Sequence, residues 1–188
     1  MQWILDLASA FGLSTSSGLN AYIPMLTLAL LARFTNFIKL EEPWSNITNW
    51  WIIGLLGVLL VIEELADKIP AVDTINDVIQ TFIRPTAGAI VFAATTQSSI
   101  HIHPVFALGC GLVLAGSVHV IKAGSRPVLT ATTAGVANPI VSTIEDIISV
   151  VTSFIAIIFP YLILGWLILL AILLLLVIRW KRQRMAEK

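Results

Sequence analysis

Long apolar runs separated by short polar stretches dominate the chain. A helix that crosses a bilayer needs about 20 mostly apolar residues. Six segments approach this requirement, at about 19–38, 50–68, 86–100, 104–122, 139–158 and 160–180. Pro24, inside the first segment, predicts a kink there. The pattern predicts an all-α polytopic membrane protein with about six transmembrane helices, forming a single domain over residues 1–188.

A second pattern lies between the second and third segments. Over residues 71–83, apolar side chains such as Val72 and Phe82 recur at helical spacing. Asp73 and Asp77 lie four residues apart on the opposite, polar face. This arrangement is typical of a helix that rests on a membrane surface. We therefore predict a separate, short amphipathic helix at residues 71–83.

The second and fourth predicted spans contain a weak internal repeat. The stretch "GVLLVIEELADK" (57–68) aligns without a gap with "GLVLAGSVHVIK" (111–122). The odd-numbered spans are each entered through small residues, in "STSSGLN" (14–20), "RPTAGA" (84–89) and "LTATTAGVANP" (129–139). Small residues allow close contact between membrane helices. They also mark broken helices near the binding region of transporters built from repeats, and the sequence leaves both interpretations open.

Composition supports a membrane environment. Hydrophobic residues make up 57% of the chain and charged residues 12%, whereas soluble proteins carry roughly 25% charged residues. This apolar composition makes membrane lipids the expected partners. The net charge is zero, so composition gives no signal for nucleic acid as a partner. The single cysteine, Cys110, lies in an apolar run and is interpreted as a small buried hydrophobe. The N-terminal "MQWILDLASAFG" lacks the basic region of a cleaved signal peptide.

Basic residues predict the orientation. Short cytoplasmic loops of membrane proteins are enriched in lysine and arginine. The C-terminal tail "RWKRQRMAEK" is strongly basic and is expected in the cytoplasm. Six spans then place the N-terminus in the cytoplasm as well. On this arrangement, Arg33 and Lys39 are the basic residues left on the outer face.

Charge is concentrated at the inner end of the second span. Glu63 and Asp67 lie four residues apart, so both carboxylates share one helix face. Glu64 and Lys68 have the same spacing, in the order that favours an ion pair. Two carboxylates on one face repel each other unless one is protonated or a cation lies between them. The alternative is a hydrated helix end at the interface.

Two further acids, Glu145 and Asp146, lie within the fifth span. An acidic residue at the bilayer centre costs about 2.5–3.5 kcal/mol on insertion scales. Successive helical residues diverge by about 100°, so the two side chains face different partners. Asp146 shares a face with Ser142 and Ser149. Basic or titratable residues of the preceding span are the expected partners of the acids: Lys122, Arg126 and His119.

These groups favour a transporter or channel-like protein that moves a small ion or solute, either a cation or a proton-coupled substrate. The candidate pathway residues are Asn20, Glu63, Glu64, Asp67, Asn138, Glu145 and Asp146. Two alternatives stay open: a lipid or anion handler, and an assembly partner of a larger membrane complex. The candidate anion or lipid-phosphate ligands are Lys68, Arg84, Lys122 and Arg126.

Enzyme signatures are missing from the sequence. No phosphate-binding loop, nucleophile elbow or metalloprotease motif occurs, so no enzymatic activity and no catalytic residues are expected. His101 and His103 form a His-x-His pair, a weak metal signal without acidic or cysteine neighbours. The sequence also leaves open whether the protein forms a homo-oligomer.

Two resemblances add to these predictions. "SGLNAYIP" and "EELADKIPAVDTINDVIQTFIRPTAGA" resemble a bacterial family of small multi-pass membrane proteins known as domain of unknown function 4126. That resemblance implies the bacterial inner (plasma) membrane and no particular activity. Locally, "ELADK" is similar to the Glu-x-Gly-Asp-Lys signature of six-span manganese/calcium transporters, with Ala66 in place of the glycine. It implies Glu64 and Asp67 as metal ligands and a divalent cation as the candidate ligand; no cofactor is known.

Overall fold

Helices account for the regular secondary structure of the chain. The structure is a computed structural model that describes residues 2–67, 70–97 and 102–186. In these ranges the α-helices are α1 (Gln2–Ser17), α2 (Tyr22–Phe34), α3 (Trp50–Ala66), α4 (Pro70–Thr96), α5 (Pro104–Thr133), α6 (Asn138–Ile158) and α7 (Pro160–Ala186). A short 3₁₀ helix, Trp44–Thr48, precedes α3. The prediction of an all-α protein is confirmed.

Several of these helices suit a bilayer. In the described part of the chain, the stretches long and apolar enough to cross one are Val78–Thr96, Pro104–Thr133 and Asn138–Ile158. Shorter apolar helices cover Tyr22–Phe34 and Pro160–Leu173. Large apolar side chains point away from the bundle, with Trp51 91% and Phe82 75% exposed. Such a surface suits the hydrocarbon of a bilayer, so this is a membrane protein. The number of six spans stays a prediction.

Helix α1 was not predicted from the sequence. No helix was expected before residue 19, yet α1 packs against α4, α5, α6 and α7 and buries Leu13, Ser14 and Ser16. Because α1 contains several serines, it does not form a long apolar run in the sequence. Their hydroxyls are satisfied inside the bundle, as when Ser17 Oγ donates to the Leu13 carbonyl at 2.9 Å. A satisfied hydroxyl can be buried at little cost, and α1 becomes the centre of the packing.

The direction of α1 follows from its contacts with α4. Ser14 Oγ donates to the Gly88 carbonyl at 2.8 Å. One turn earlier on α1 and one turn later on α4, the Phe11 and Phe92 rings meet edge to face, with centroids 5.5 Å apart. The two helices are therefore antiparallel, and the N-terminal end of α1 lies toward the end of the bundle where α4 finishes.

The first predicted span, at 19–38, contains the shorter helix α2, and a break separates α2 from α1. The chain leaves helical geometry after α1 and re-enters it at Tyr22. Asn20 Oδ1 accepts the backbone N–H groups of Tyr22 at 3.0 Å and Ile23 at 3.1 Å, and so stabilises the start of α2. Pro24 falls in the first turn of α2, where its missing N–H costs no hydrogen bond. The kink predicted at Pro24 is wrong, and the break lies at Asn20.

The prediction of a separate amphipathic helix at 71–83 is also wrong. Those residues belong to one continuous helix, α4 (Pro70–Thr96), which contains Pro85 and runs on into the short span predicted at 86–100. Residues 98–100 of that predicted span lie outside the described residues. Close packing holds α4 beyond the proline: a Cβ added at Gly88 would lie 2.3 Å from Ala115 Cβ of α5. The α5 helix likewise extends past the predicted end at residue 122, to Thr133.

Candidate functional site

A buried ion pair joins the end of α3 to α4. Arg84 Nη2 donates to Glu63 Oε1 at 2.9 Å, and both side chains are almost fully buried. Arg84 Nη1 lies 3.2 Å from His119 Nδ1, and Thr81 Oγ1 lies 3.0 Å from His119 Nε2. Because a guanidinium only donates hydrogen bonds, His119 Nδ1 must accept. The proton of this neutral imidazole then resides on Nε2, directed at Thr81.

A second ion-pair group connects α5 to α6. Lys122 Nζ and Arg126 Nη2 each lie 3.0 Å from Glu145 Oε2. Lys122 Nζ also donates to the Leu19 carbonyl at 2.8 Å, in the break between α1 and α2. The expected pairing of Glu145 with Lys122 and Arg126 is confirmed. His119 belongs instead to the Arg84 group.

Asp67 has neutral partners at the C-terminal end of α3. Ser142 Oγ of α6 donates to Asp67 Oδ2 at 2.8 Å, and Asn76 Nδ2 of α4 donates to Asp67 Oδ1 at 2.7 Å. Glu63 and Asp67 therefore share a helix face, as their spacing predicted, yet each has its own set of donors. Repulsion between the two carboxylates is relieved by these donors and by the Arg84 guanidinium.

The fourth group centres on Asp146. Asn20 Nδ2 donates to Asp146 Oδ1 at 2.9 Å, so one asparagine both starts α2 and holds an acid of α6. The neighbouring acid on α3 is Glu64. Both carboxyl groups line a cavity of about 370 Å³ whose other walls are mainly aliphatic. Two acids far apart in sequence thus meet in one apolar pocket.

A row of hydroxyl groups continues the polar face of α6. The buried residues of that face include Ser142, Asp146, Ser149 and Ser153. Ser16 Oγ of α1 lies 2.8 Å from Ser149 Oγ and 2.9 Å from Ser153 Oγ. The stripe of Ser142, Asp146 and Ser149 was predicted from spacing. Ser16 was missed because it precedes the first predicted span, although its place in a serine-rich run was a usable signal.

The remaining predicted site residues separate from these groups. Asn138 Nδ2 donates to Thr130 Oγ1 at 2.9 Å and joins α6 to the end of α5. Lys68 and His101 lie outside the described residues. Glu64 and Asp67, the implied metal ligands, contact different partners. Within the described ranges, no group of three or more histidine, cysteine or acidic side chains could hold a metal ion.

Among the described residues of the interior, acidic side chains outnumber basic ones. Its carboxyl groups are those of Glu63, Glu64, Asp67, Glu145 and Asp146, and its cations are Arg84, Lys122 and Arg126. The three cations pair with Glu63 and Glu145. Two of the carboxyl groups, those of Glu64 and Asp146, line the same cavity between α3 and α6.

Comparison with known proteins identifies the family. The family model described as "Domain of unknown function (DUF4126)" matches residues 7–180. The chain belongs to this family. The DUF4126 match contains all four polar groups, and the family's description assigns no activity. No curated protein and no solved structure matches the chain. The local similarity of "ELADK" to manganese/calcium transporters gains no support from these comparisons.

Proposed function

We propose that this DUF4126 protein is a small membrane transporter that moves a small cation, or a solute coupled to protons, through its acidic interior. The observation that carries the proposal is the acidic pair of Glu64 and Asp146, which line one cavity. The pair lies in a mainly aliphatic pocket between α3 and α6, and α6 is long enough to span a bilayer. Ionisable residues inside membrane helices are expensive, and they mark ion pathways and proton relays.

The closeness of Glu64 and Asp146 in one apolar cavity has a chemical consequence. Two carboxylates held near each other repel unless one of them carries a proton or a cation lies between them. Loss of that proton leaves two negative charges together in an apolar pocket, and a cation bound between them relieves the repulsion. Proton release is thereby coupled to cation binding, which is the exchange that a proton-coupled transporter requires.

The hydroxyl row of α6 supports a path through the molecule. Eleven residues separate Ser142 from Ser153, which corresponds to about 16 Å along a helix. Asp146 and Ser149 lie between them on the same buried face. Hydroxyl groups both donate and accept hydrogen bonds, so this row offers partners to a proton, a water molecule or a polar solute over half of a bilayer's thickness.

The alternative of a lipid or anion handler has less support. Arg84 pairs with Glu63, and Lys122 and Arg126 pair with Glu145. An anion would have to displace these buried carboxylates from their cations. Each buried carboxylate left without its cation costs several kcal/mol. The charge balance of the interior therefore favours a cation over an anion.

The basic C-terminal tail supports a cytoplasmic C-terminus in a bacterial inner membrane. The same orientation puts the start of α4 on the cytoplasmic side. Since α1 is antiparallel to α4, the N-terminus belongs on the outer side. This proposal departs from the expectation of two cytoplasmic termini, which was made without α1.

Flux through proteoliposomes tests the proposed function. The purified chain is reconstituted with a pH gradient, and internal dyes report protons, sodium, calcium and manganese. We expect Asp146→Asn and Glu64→Gln to reduce the protein-dependent flux at least tenfold, because either change removes the exchangeable proton. Glu41→Gln, at an exposed loop acid, is the matched control and should transport like the wild type. Equal flux in the wild type and Asp146→Asn would refute the proposal.

A further inference from the structure

The segment that connects α2 to α3, residues 35–49, folds over one end of the bundle. Trp44, in the 3₁₀ helix of this segment, packs against two apolar core clusters. One cluster contains Leu13 of α1 and Ile157 of α6, and the other contains Phe92 of α4. A single large side chain of the segment therefore covers the core where these clusters approach the surface.

Hydrogen bonds hold the segment to the helices. The indole N–H of Trp44 donates to Gln97 Oε1, directly after the C-terminal end of α4. Gln97 Nε2 in turn donates to the Glu42 carbonyl at 3.3 Å. At the other side of the segment, Arg33 Nη1 of α2 donates to the Thr48 carbonyl at 2.7 Å. One glutamine therefore holds both the ring and the backbone of the segment.

The hydroxyl row of α6 ends beneath this segment. Ser16 Oγ and Ser153 Oγ lie 2.9 Å apart. One turn further along α6, the buried side chain is that of Ile157, and one turn before Ser16 on α1 it is that of Leu13. Leu13 and Ile157 belong to the same apolar cluster, against which Trp44 packs. From Ser153 toward Trp44, the interior thus changes from hydroxyl groups to hydrocarbon.

This apolar layer closes the end of the row to water. Leu13 is 0% and Ile157 5% exposed, and a hydrocarbon-lined constriction stops conduction because water leaves it. The covering segment itself has exposed residues such as Glu42 and Asn46. Segments with few buried contacts open locally at low free-energy cost, and loops of this kind control access to sites in many proteins.

We propose that residues 35–49 form a lid, and that displacement of Trp44 opens this end of the hydroxyl row to solvent. The inference rests on the proposed transport function, to which it adds a barrier at the end of the bundle where α4 finishes. Gln97 keeps the lid closed, since it binds both the Trp44 ring and the Glu42 carbonyl. Loss of these bonds raises the fraction of molecules in which the lid is open.

Cysteine accessibility tests the lid. Ser153→Cys is introduced in the Cys110→Ala background, and the protein in nanodiscs is treated with a small, permanently charged methanethiosulfonate. Both ends of the bundle face the reagent, so the result does not depend on orientation. We expect slow labelling of this reporter and labelling at least tenfold faster when Trp44→Ala is added. Gln97→Leu removes the acceptor of Trp44 and leaves the core intact, so it should accelerate labelling about two- to tenfold, as expected for one hydrogen bond.

Trp51→Ala is the matched control. The Trp51 side chain belongs to α3, outside the lid, and is 91% exposed, so its removal should leave the labelling rate unchanged. Equal rates in the reporter, with Trp44→Ala and with Gln97→Leu overturn the lid. Acceleration by Trp51→Ala as large as that by Trp44→Ala overturns it as well, because general loosening of the fold then explains the labelling.

Flux measurements on the same variants separate the two proposals. Labelling that depends on Trp44, in a protein without Asp146-dependent flux, supports the lid and refutes the transport function. Asp146-dependent flux, with labelling that is insensitive to Trp44 and Gln97, overturns the lid and leaves the transport proposal standing. Size-exclusion profiles of the variants in detergent verify that each is folded.

Discussion

Arg84 illustrates how the interior handles charge at the scale of single residues. In the sequence, Arg84 is a candidate ligand of an anion or a lipid phosphate. The structure buries it completely and pairs it with Glu63, 21 residues earlier in the chain and on another helix. Sequence spacing reveals partners within one helix, at three or four residues. It does not reveal partners on different helices, because those depend on how the helices pack.

The Glu63–Arg84 pair should be important for stability. Glu63→Gln leaves the buried guanidinium without its carboxylate. Removing one partner of a buried ion pair costs about 3–5 kcal/mol. We therefore expect a clear fall in the melting temperature of the detergent-purified protein, measured by thermal unfolding under tryptophan fluorescence.

A double variant separates charge from packing at the same pair. Glu63→Leu with Arg84→Leu removes both charges, and apolar replacement of a whole buried pair is often close to neutral. It should recover at least half of the stability lost in Glu63→Gln. If Glu63→Gln melts like the wild type, the pair makes no net contribution, and Arg84 is compensated by its other neighbours.

At the scale of elements, α4 shows why a helix can run through a proline. The sequence predicted two elements, an amphipathic helix and a short span, with Pro85 at their junction. In the structure the helix continues, because α4 packs against α1 and α5. Gly88 and Gly111 allow this approach: a Cβ added at Gly111 would lie 2.3 Å from the Gly88 carbonyl oxygen. Small residues here serve close packing, whereas the residues around Asn20 mark a break.

A pair of glycine variants tests that contact. In Gly88→Ala the added methyl group collides with α5, so we expect a loss of about 1–3 kcal/mol from overpacking. In the matched control, Gly54→Ala on α3, the new Cβ meets nothing within 4 Å. Alanine favours helix over glycine by about 1 kcal/mol, so the control should be neutral or slightly more stable. Thermal unfolding of both variants in one detergent gives the comparison. Equal stability of the two would contradict the packing seen at Gly88.

The orientation of the whole molecule depends on α1. The distribution of lysine and arginine predicted a cytoplasmic C-terminus. An even number of spans then predicted a cytoplasmic N-terminus as well. The antiparallel contact of α1 with α4 argues against a cytoplasmic N-terminus. The N-terminal end of α1 lies toward the end of the bundle where α4 finishes.

Cysteine labelling on intact cells tests this orientation. Single cysteines are introduced in a Cys110→Ala background and treated with a membrane-impermeant maleimide. Gln2→Cys should react on intact cells, as should the outer control Lys39→Cys, while Thr132→Cys should react only after permeabilisation. Labelling of Gln2→Cys that requires permeabilisation would restore the arrangement with both termini in the cytoplasm.

Composition and periodicity alone determined that this is a helical membrane protein, and they singled out the acids inside its apolar segments. A charge inside an apolar run is visible in sequence because a bilayer penalises it wherever the helix packs. The sequence predicted that Asp146 or Glu145 pairs with Lys122, Arg126 or His119, and the structure pairs Glu145 with Lys122 and Arg126. Only the tertiary structure decided the central place of α1, the continuity of α4, the burial of Arg84 and the meeting of Glu64 with Asp146. Each of these depends on contacts between helices far apart in the chain, and local periodicity carries no record of such contacts.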